Sequence, residues 1–538
     1  MRNGGVKYMG KKSPERRLMT RRGFFSVGAL GLAAASGIGS AVEQYAATLD
    51  QNLGTKSSEL ISTSTDAELL YQAFRPSEEL LNADGSGNSH ALIQKAIDMG
   101  RRQAVSGTVL LKNETADGRG LPLAPGERVT LFGSRSHTTL LGSGMGTKAT
   151  GPCITLEQAL GSDTSTDFAH TIATGVAMKR VKNPDGSSAI AFSDPAPTIP
   201  SWAGDEFEIE GAGLELNPTM ISAYDAVNQG NKLGNNEPAS PSFDPHEASQ
   251  DQLEEAAPGF RDSFGQYSDA AIVVLGRPSS ESIDFLPGGV AEGTGAKEPL
   301  ALTDNERAAI EMAKQCSQNV IVLLNSSNTM EVRELADDEG ISAILSIGFP
   351  GCYGLLGVAD ILIGRESPSG CLSDIMATHN MSAPAMQNMG SYSYANAHDV
   401  LHRPIGMFGD TSSHYVVEAE GIYTGYRYYE TRYADAVLGQ GNASAAAGAT
   451  VLEDRWDYAS EVTYGFGYGL SYTTFVQTFA GEPKLSVTKG KQGSTEVRLA
   501  VAVDVANTGS YAGRSVVQIY GQAPYVAGGV EKPAIQTI

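Results

Sequence analysis

Cysteine, tryptophan and basic residues are scarce in this sequence. Four cysteines (Cys153, Cys316, Cys352, Cys371) are spread over 538 residues. They form no Cys-x-x-Cys pair, and no histidine stands near them at metal-ligand spacing, which excludes zinc ribbons and dithiol redox motifs. Cys316 ends a helical pattern and reads as core. Cys352 and Cys371 either pair or lie buried as separate thiols. Lys and Arg number 39 against 61 Asp and Glu, a net charge of −22. Nucleic acids and anionic membranes need clustered cations, so neither is an expected partner. Past the first 47 residues no stretch approaches the roughly 20 apolar residues of a membrane span. A Gly-x-Ser-x-Gly nucleophile elbow is missing. The glycine-rich run Gly142-Ser143-Gly144-Met145-Gly146 lacks the Gly-Lys-Ser/Thr of a Walker loop and reads as a plain turn or a rim loop. No metal and no organic cofactor is implied.

The N-terminus carries a basic region, Lys11 to Arg22, followed by apolar residues Phe24 to Val42. Thr20-Arg21-Arg22-Gly23-Phe24-Phe25 resembles a twin-arginine export signal, so residues 1–47 are expected to direct export, or to anchor the chain in a membrane if left uncleaved. Residues 48–88 are polar and read as a linker.

From His90 onward the pattern is alternating βα. Ala91 to Val105 fits a helix, and Gly107–Asn113 and Val129–Gly133 fit strands. Residues 153–265 are less regular, with a section rich in Pro, Gly and Asn at about 186–250, and about 160–262 reads as a loop-rich insertion. Short helices are expected at 154–160 and 217–227, with long loops elsewhere in that stretch. Ala270–Leu275, Asn319–Asn325 and Ile341–Ser346 are short apolar runs stopped by Gly or polar residues, the signature of strands buried on both faces. Between them Thr303 and Glu306 have capping-box spacing at a helix start. The expected fold class is α/β, an open and largely parallel sheet sandwiched by helices. Residues 375–475 read as loop-rich. Their aromatic clusters, Tyr423-Tyr426-Tyr428-Tyr429 and Tyr464-Phe466-Tyr468-Tyr472, suit either packing staples or sugar stacking. From Lys484 the period becomes two: Val497, Leu499, Val501, Val503 and Val505 alternate with polar residues, and Val516–Tyr520 is the next expected strand. This is the beginning of an antiparallel β-sandwich.

The loop after Leu275 carries Arg277, Glu281 and Asp284. Ligands of open α/β sheets bind beyond the carboxyl ends of the strands, where one carboxyl group can act as a general acid or base. A solvated loop is the bland alternative.

Several stretches, in order, resemble glycoside hydrolase family three, the β-glucosidases and their relatives. They are Ser106 to Asn113, Ala270 to Gly276, Gly348-Phe349-Pro350-Gly351 through Ala359-Asp360-Ile361-Leu362 to Pro368-Ser369-Gly370, Glu420 to Tyr429, Tyr464 to Thr473, and Asn507-Thr508-Gly509. The resemblance implies an α/β-sandwich domain over 89–478 and an incomplete fibronectin type III-like domain over 479–538. It also implies a retaining β-glycosidase mechanism and an oligosaccharide or β-glucoside substrate. The family's acid/base glutamate often lies in Ser-Gly-Glu-Gly-x-Asp-Arg. Here that stretch is Ser279-Ser280-Glu281-Ser282-Ile283-Asp284-Phe285. Glu281 is therefore the candidate catalytic acid/base, and Arg277 and Asp284 are the candidate substrate contacts. Serines replace both glycines and Phe285 replaces the arginine.

The family's nucleophile belongs to a barrel of roughly 250 residues, for which this chain leaves no room. No Ser-Asp-Trp motif is present, the only tryptophans being Trp202 and Trp456. The order of signal, sandwich and fibronectin-like start matches relatives that carry the barrel last. The expectation is an N-terminal portion of a permuted enzyme, partnered by a barrel encoded downstream and inactive alone. A non-catalytic carbohydrate-binding or interaction module is the rival.

Overall fold

A computed structural model describes residues 78–83, 87–142, 153–161, 177–182, 188–193, 207–228, 243–278, 285–390, 392–397, 415, 417–418, 420–437, 448–489, 495–521 and 536–537. The export-signal stretch, most of the Gly142–Gly146 run, and the pair Glu281 and Asp284 lie outside the described residues. The chain divides into two units.

The larger unit is built on a six-stranded sheet. Its strands are β1 (Val109–Asn113), β2 (Arg128–Phe132), β3 (Glu215–Leu216), β4 (Ala270–Arg277), β5 (Val320–Ser326) and β6 (Ala343–Ser346), in the spatial order β1-β6-β5-β4-β2-β3. Every neighbouring pair is parallel except β1 with β6. Every residue of β4 and β5 is buried. That is why these strands read as unbroken apolar runs: with both faces covered there is no wet side to impose alternation. Each fully buried Ile or Val contributes roughly 1.5–3 kcal/mol.

The covering helices are α1 (Ser89–Gly107), α2 (Ser134–His137), α3 (Leu156–Leu160), α4 (Pro218–Val227), α5 (Gln250–Ala256), α6 (Asp304–Cys316) and α7 (Leu355–Leu362). Capping boxes start three of them: Thr155 with Gln158, Ser249 with Gln252, and Thr303 with Glu306. Each satisfies two backbone donors that a helix start otherwise leaves open. Ile310 and Ala313 of α6 join Val273, Leu275, Val322 and Leu324 of the strands in one core. Close contact between α1 and α7 depends on Gly357, where a Cβ would lie 2.2 Å from the Arg101 carbonyl oxygen. Buried Asp360 on α7 then takes both Arg101 and Arg365.

Three expectations are revised within this unit. β4 does not stop at Leu275 but continues to Arg277, because Gly276 and Arg277 keep register with Asn325 and Ser326 of β5. The tyrosine cluster that reads as loop instead opens a helix, α8 (Tyr426–Ala436). Its aromatics act as staples: the Tyr426 ring stacks on Phe466 at 4.0 Å, and the hydroxyl of buried Tyr429 lies 2.6 Å from Ser382 Oγ. Helix α5 also falls in a stretch read as loop.

Beyond the sheet come small antiparallel pairs resembling part of a β-sandwich: Phe475–Phe479 with Val503–Asn507, and Lys484–Lys489 with Thr495–Ala500. The alternation from Val497 to Val505 thus belongs to two strands with different partners. Val516–Ile519 is not strand. Within Val516–Gly521, among the described residues, only Tyr520–Gly521 pairs as strand, with Gln536–Thr537, while Val516 O accepts from Gln477 Nε2 at 3.0 Å.

In the smaller unit, Ala177–Lys182 pairs antiparallel with Ser188–Ser193, where long loops are expected.

Candidate functional site

The carboxyl ends of β2, β4, β5 and β6 all point to one edge of the sheet, where a parallel architecture puts its ligands. The end of β4 is closed. Arg277 is fully buried and all five of its N–H groups are used inside the chain. Nε donates to Pro299 O at 2.7 Å; Nη1 donates to Gly276 O at 2.9 Å and Glu306 Oε1 at 2.6 Å; Nη2 donates to Ala301 O at 2.7 Å and Glu306 Oε2 at 2.9 Å. Its hydrogen-bonding capacity is met before any ligand arrives. The guanidinium also lies 5.8 Å from the centroid of the Phe243 ring. Phe285, which stands where the family pattern has arginine, packs edge-on against that same ring at 4.9 Å. The two stems of the Ser279–Asp284 stretch are therefore anchored on one aromatic.

Beside this ion pair is a second buried group. At the tip of β2 the chain turns through Gly133, whose φ of +87° suits glycine alone. Gly133 N donates to Tyr224 Oη at 2.8 Å, and Ser134 N donates to Glu247 Oε2 at 2.7 Å. Burial pushes the Glu247 carboxyl up to about 8, against the opposing hydrogen bond from Ser134. The Tyr224 hydroxyl is pushed well above its ordinary value, first by burial and then by Glu247.

The ends of β5 and β6 are open. A cleft of about 830 Å³ lies there, lined by Ser326–Thr329 at the end of β5, Ser346–Gly351 at the end of β6, Gln103, Ala104 and Gly107–Val109, and Cys371 to Asp374. Hydroxyls, amides and backbone share the lining with apolar Ile347, Phe349, Pro350, Leu372 and Met376, and Asp374 is its one carboxylate among the described residues. Asp374 Oδ1 accepts from Ile375 N at 2.9 Å and from Tyr426 N at 2.8 Å, at the start of α8. An anion at a helix N-terminus is favourably placed. Asn380 ties one wall together: its N donates to Glu331 Oε1 at 2.7 Å and its Nδ2 to Thr329 O at 2.9 Å. Hydroxyls and amides interleaved with apolar side chains, and one carboxylate with no cation beside it among the described lining residues, match a polyhydroxylated ligand better than an anion.

The sequence pointed to the end of β4 and overlooked this cleft. Nothing local marks Ser326–Thr329 or Asp374. The strand-end rule, applied to Asn319–Asn325 and Ile341–Ser346 as well, would have found the first two walls. Among the described residues, one group of side chains is close enough to hold a cation: His137 Nδ1 lies 2.9 Å from Glu157 Oε1 and 3.9 Å from Asp225 Oδ1. None of the three lines the cleft.

Residues 108–472 match the Glycosyl hydrolase family 3 C-terminal domain. The chain belongs to glycosyl hydrolase family 3. Beta-glucosidase A of Butyrivibrio fibrisolvens is 28% identical over 461 residues, 82% of this family 3 chain and 43% of that protein. A beta-glucosidase of Ruminococcus albus is 26% identical over 257 residues, 48% of this chain and 20% of its own length. The solved beta-glucosidase of Paenibacillus barengoltzii superposes with a TM-score of 0.51 at 24% identity, covering 82% of this chain and 36% of that one, a likeness of fold. The chain spans less than half the length of the curated relatives it matches.

Proposed function

We propose that this chain is the sandwich portion of an exported, retaining β-glycosidase acting on β-glucosides, with Glu281 as its acid/base. Family membership over 108–472 is the observation that carries the reading. It is supported by the two anchored stems, Arg277 and Phe285, which bracket the Glu281 stretch beyond the carboxyl end of β4. Glu281 protonates the leaving-group oxygen, then as carboxylate activates the water that frees the sugar. The nucleophile is a second carboxylate, about 5–5.5 Å away in a retaining enzyme. A barrel domain outside this chain supplies it. Asp284 contacts the substrate. Arg277 acts by holding the loop stem, since its donors are already engaged.

The test is hydrolysis of an aryl β-glucoside by the purified chain, alone and with a family 3 barrel domain added or fused. No turnover alone, turnover with the barrel, and a fall of about 10²–10⁴-fold in Glu281→Gln is the expected pattern. Turnover that survives Glu281→Gln overturns the assignment. Export rests on Arg21-Arg22 and is checked by whether Arg21→Lys with Arg22→Lys keeps the chain in the cytoplasm.

The second reading, a carbohydrate-binding module without catalysis, is favoured by one observation: the cleft is polar and holds a single carboxylate, Asp374, among the described residues. Glucose binding that persists in Glu281→Gln, with no turnover in any barrel-supplemented mixture, would establish it.

A further inference from the structure

The four cysteines are reduced thiols, and two of them meet. They are not the pair that sequence proximity suggests, Cys352 with Cys371. Cys153, fully buried, hydrogen-bonds through its thiol to the half-buried Cys352. The backbones are in register at this point: Ile154 N donates to Cys352 O at 2.8 Å. One residue earlier, Gly351 N donates to Leu141 O at 2.8 Å. Gly348 to Gly351 form a wall of the cleft. Two backbone hydrogen bonds therefore tie this wall to the segments on either side of residues 142–153, and the thiol pair sits on that seam.

We propose that Cys153 and Cys352 are a reversible disulfide site that locks the Gly348–Gly351 wall of the cleft. The thiol contact and the backbone bond bring the two residues near each other, as a disulfide requires. The chemistry also has a direction. The Cys153 hydrogen bond holds the Cys352 thiol below its ordinary value, outweighing the upward push of burial. The same bond, with burial, raises Cys153. Cys352 is thus the more exposed and more readily ionised sulfur, and the attacking one. The oxidant is a small-molecule disulfide. The Cys352 thiolate attacks one of its sulfurs, forming a mixed disulfide and expelling one small thiolate, which takes up the proton Cys352 gave up. Cys153 then loses its proton and attacks the Cys352 sulfur, expelling the second small thiol. Two protein S–H bonds and one small-molecule S–S bond are exchanged for one protein S–S bond and two small-molecule S–H bonds. Two electrons pass to the oxidant.

The experiment equilibrates the full chain in glutathione buffers of graded oxidised-to-reduced ratio, quenches with an alkylating agent, and maps the peptides by mass spectrometry. One cross-linked peptide pair, Cys153 with Cys352, is expected to rise with the oxidised fraction and vanish on reduction. Cys371→Ser should leave it unchanged and Cys352→Ser should abolish it. Amide exchange of residues 351–356 in the unaltered chain should slow by about tenfold or more on oxidation. Separate alkylation of Cys153 and Cys352 at the most oxidising ratio would overturn the proposal, as would a Cys352–Cys371 cross-link or glutathione held on Cys352 without transfer. A cross-link that leaves exchange unchanged would refute the locking of the wall.

Discussion

Arg277 at the end of β4 and Ser326 at the end of β5 are partners in the same ladder, yet their surroundings differ completely. Arg277 is sealed among five acceptors, against Glu306 and close to the Glu247–Tyr224 pair. Ser326 opens onto a cleft whose lining holds one carboxylate, Asp374, and no cation among the described residues. One strand end holds charge away from water, and its neighbour offers hydroxyls and amides to it. A buried ion pair of this kind gives little net stability but is costly to break, because the survivor is left charged and desolvated. The closed end thereby fixes the stem of the loop after β4, while the open end is left to accept a ligand.

The strongest way to break this contrast is Glu306→Gln. The Glu306 and Arg277 side chains are 2% and 0% exposed, so the change strands a buried guanidinium. A loss of about 3–5 kcal/mol in denaturant unfolding is expected; a loss below about 1 kcal/mol would mean that water reaches Arg277.

Glu247→Gln probes the same end through pH. The Glu247 carboxyl is raised from 4.5 to about 8, so between those values the folded chain holds a proton that the unfolded chain has released. Stability then falls as pH rises through that window. The variant should remove this slope, gaining on the order of a few kcal/mol relative to the unaltered chain by pH 8 and little at pH 4.5. Parallel melting curves at every pH would show Glu247 to be solvated.

Gly357→Ala tests the packing that carries the wall after β6. The new Cβ meets the Arg101 backbone oxygen, which has little room to move, and about 1–3 kcal/mol should be lost. The smallest effect belongs to the surface. Arg307 and Glu334 are 39% and 44% exposed at 2.8 Å, and Glu334→Gln should change stability by less than about 1 kcal/mol.

Most of the sheet was legible because burial on both faces leaves a plain trace. Ala270–Leu275 and Val320–Leu324 are apolar without interruption and bounded by polar residues or glycine. Helix α6 was legible from Thr303 and Glu306 alone. Tertiary contacts decided the parts that were missed. Tyr426–Ala436 has a helical sequence only in retrospect, since Asp374, 52 residues away, supplies the acceptor for its first turn. Arg277 looks like a loop cation until Glu306, Pro299 and Ala301 close around it. Glu247 lies in a Pro- and Asn-rich stretch that offers no periodicity at all. The cleft is assembled from four separated segments, and no local pattern records their meeting.

Leaving-group dependence of hydrolysis is the most direct test of the role given to Glu281. With a barrel domain supplied, the unaltered chain and Glu281→Gln are compared on two aryl β-glucosides, one whose phenol leaves without protonation and one whose phenol needs it. A group that protonates the leaving oxygen predicts a large loss, about 10²–10⁴-fold, on the poor leaving group and a much smaller loss in glycosylation on the good one. Equal losses on both substrates, or none on either, would contradict it.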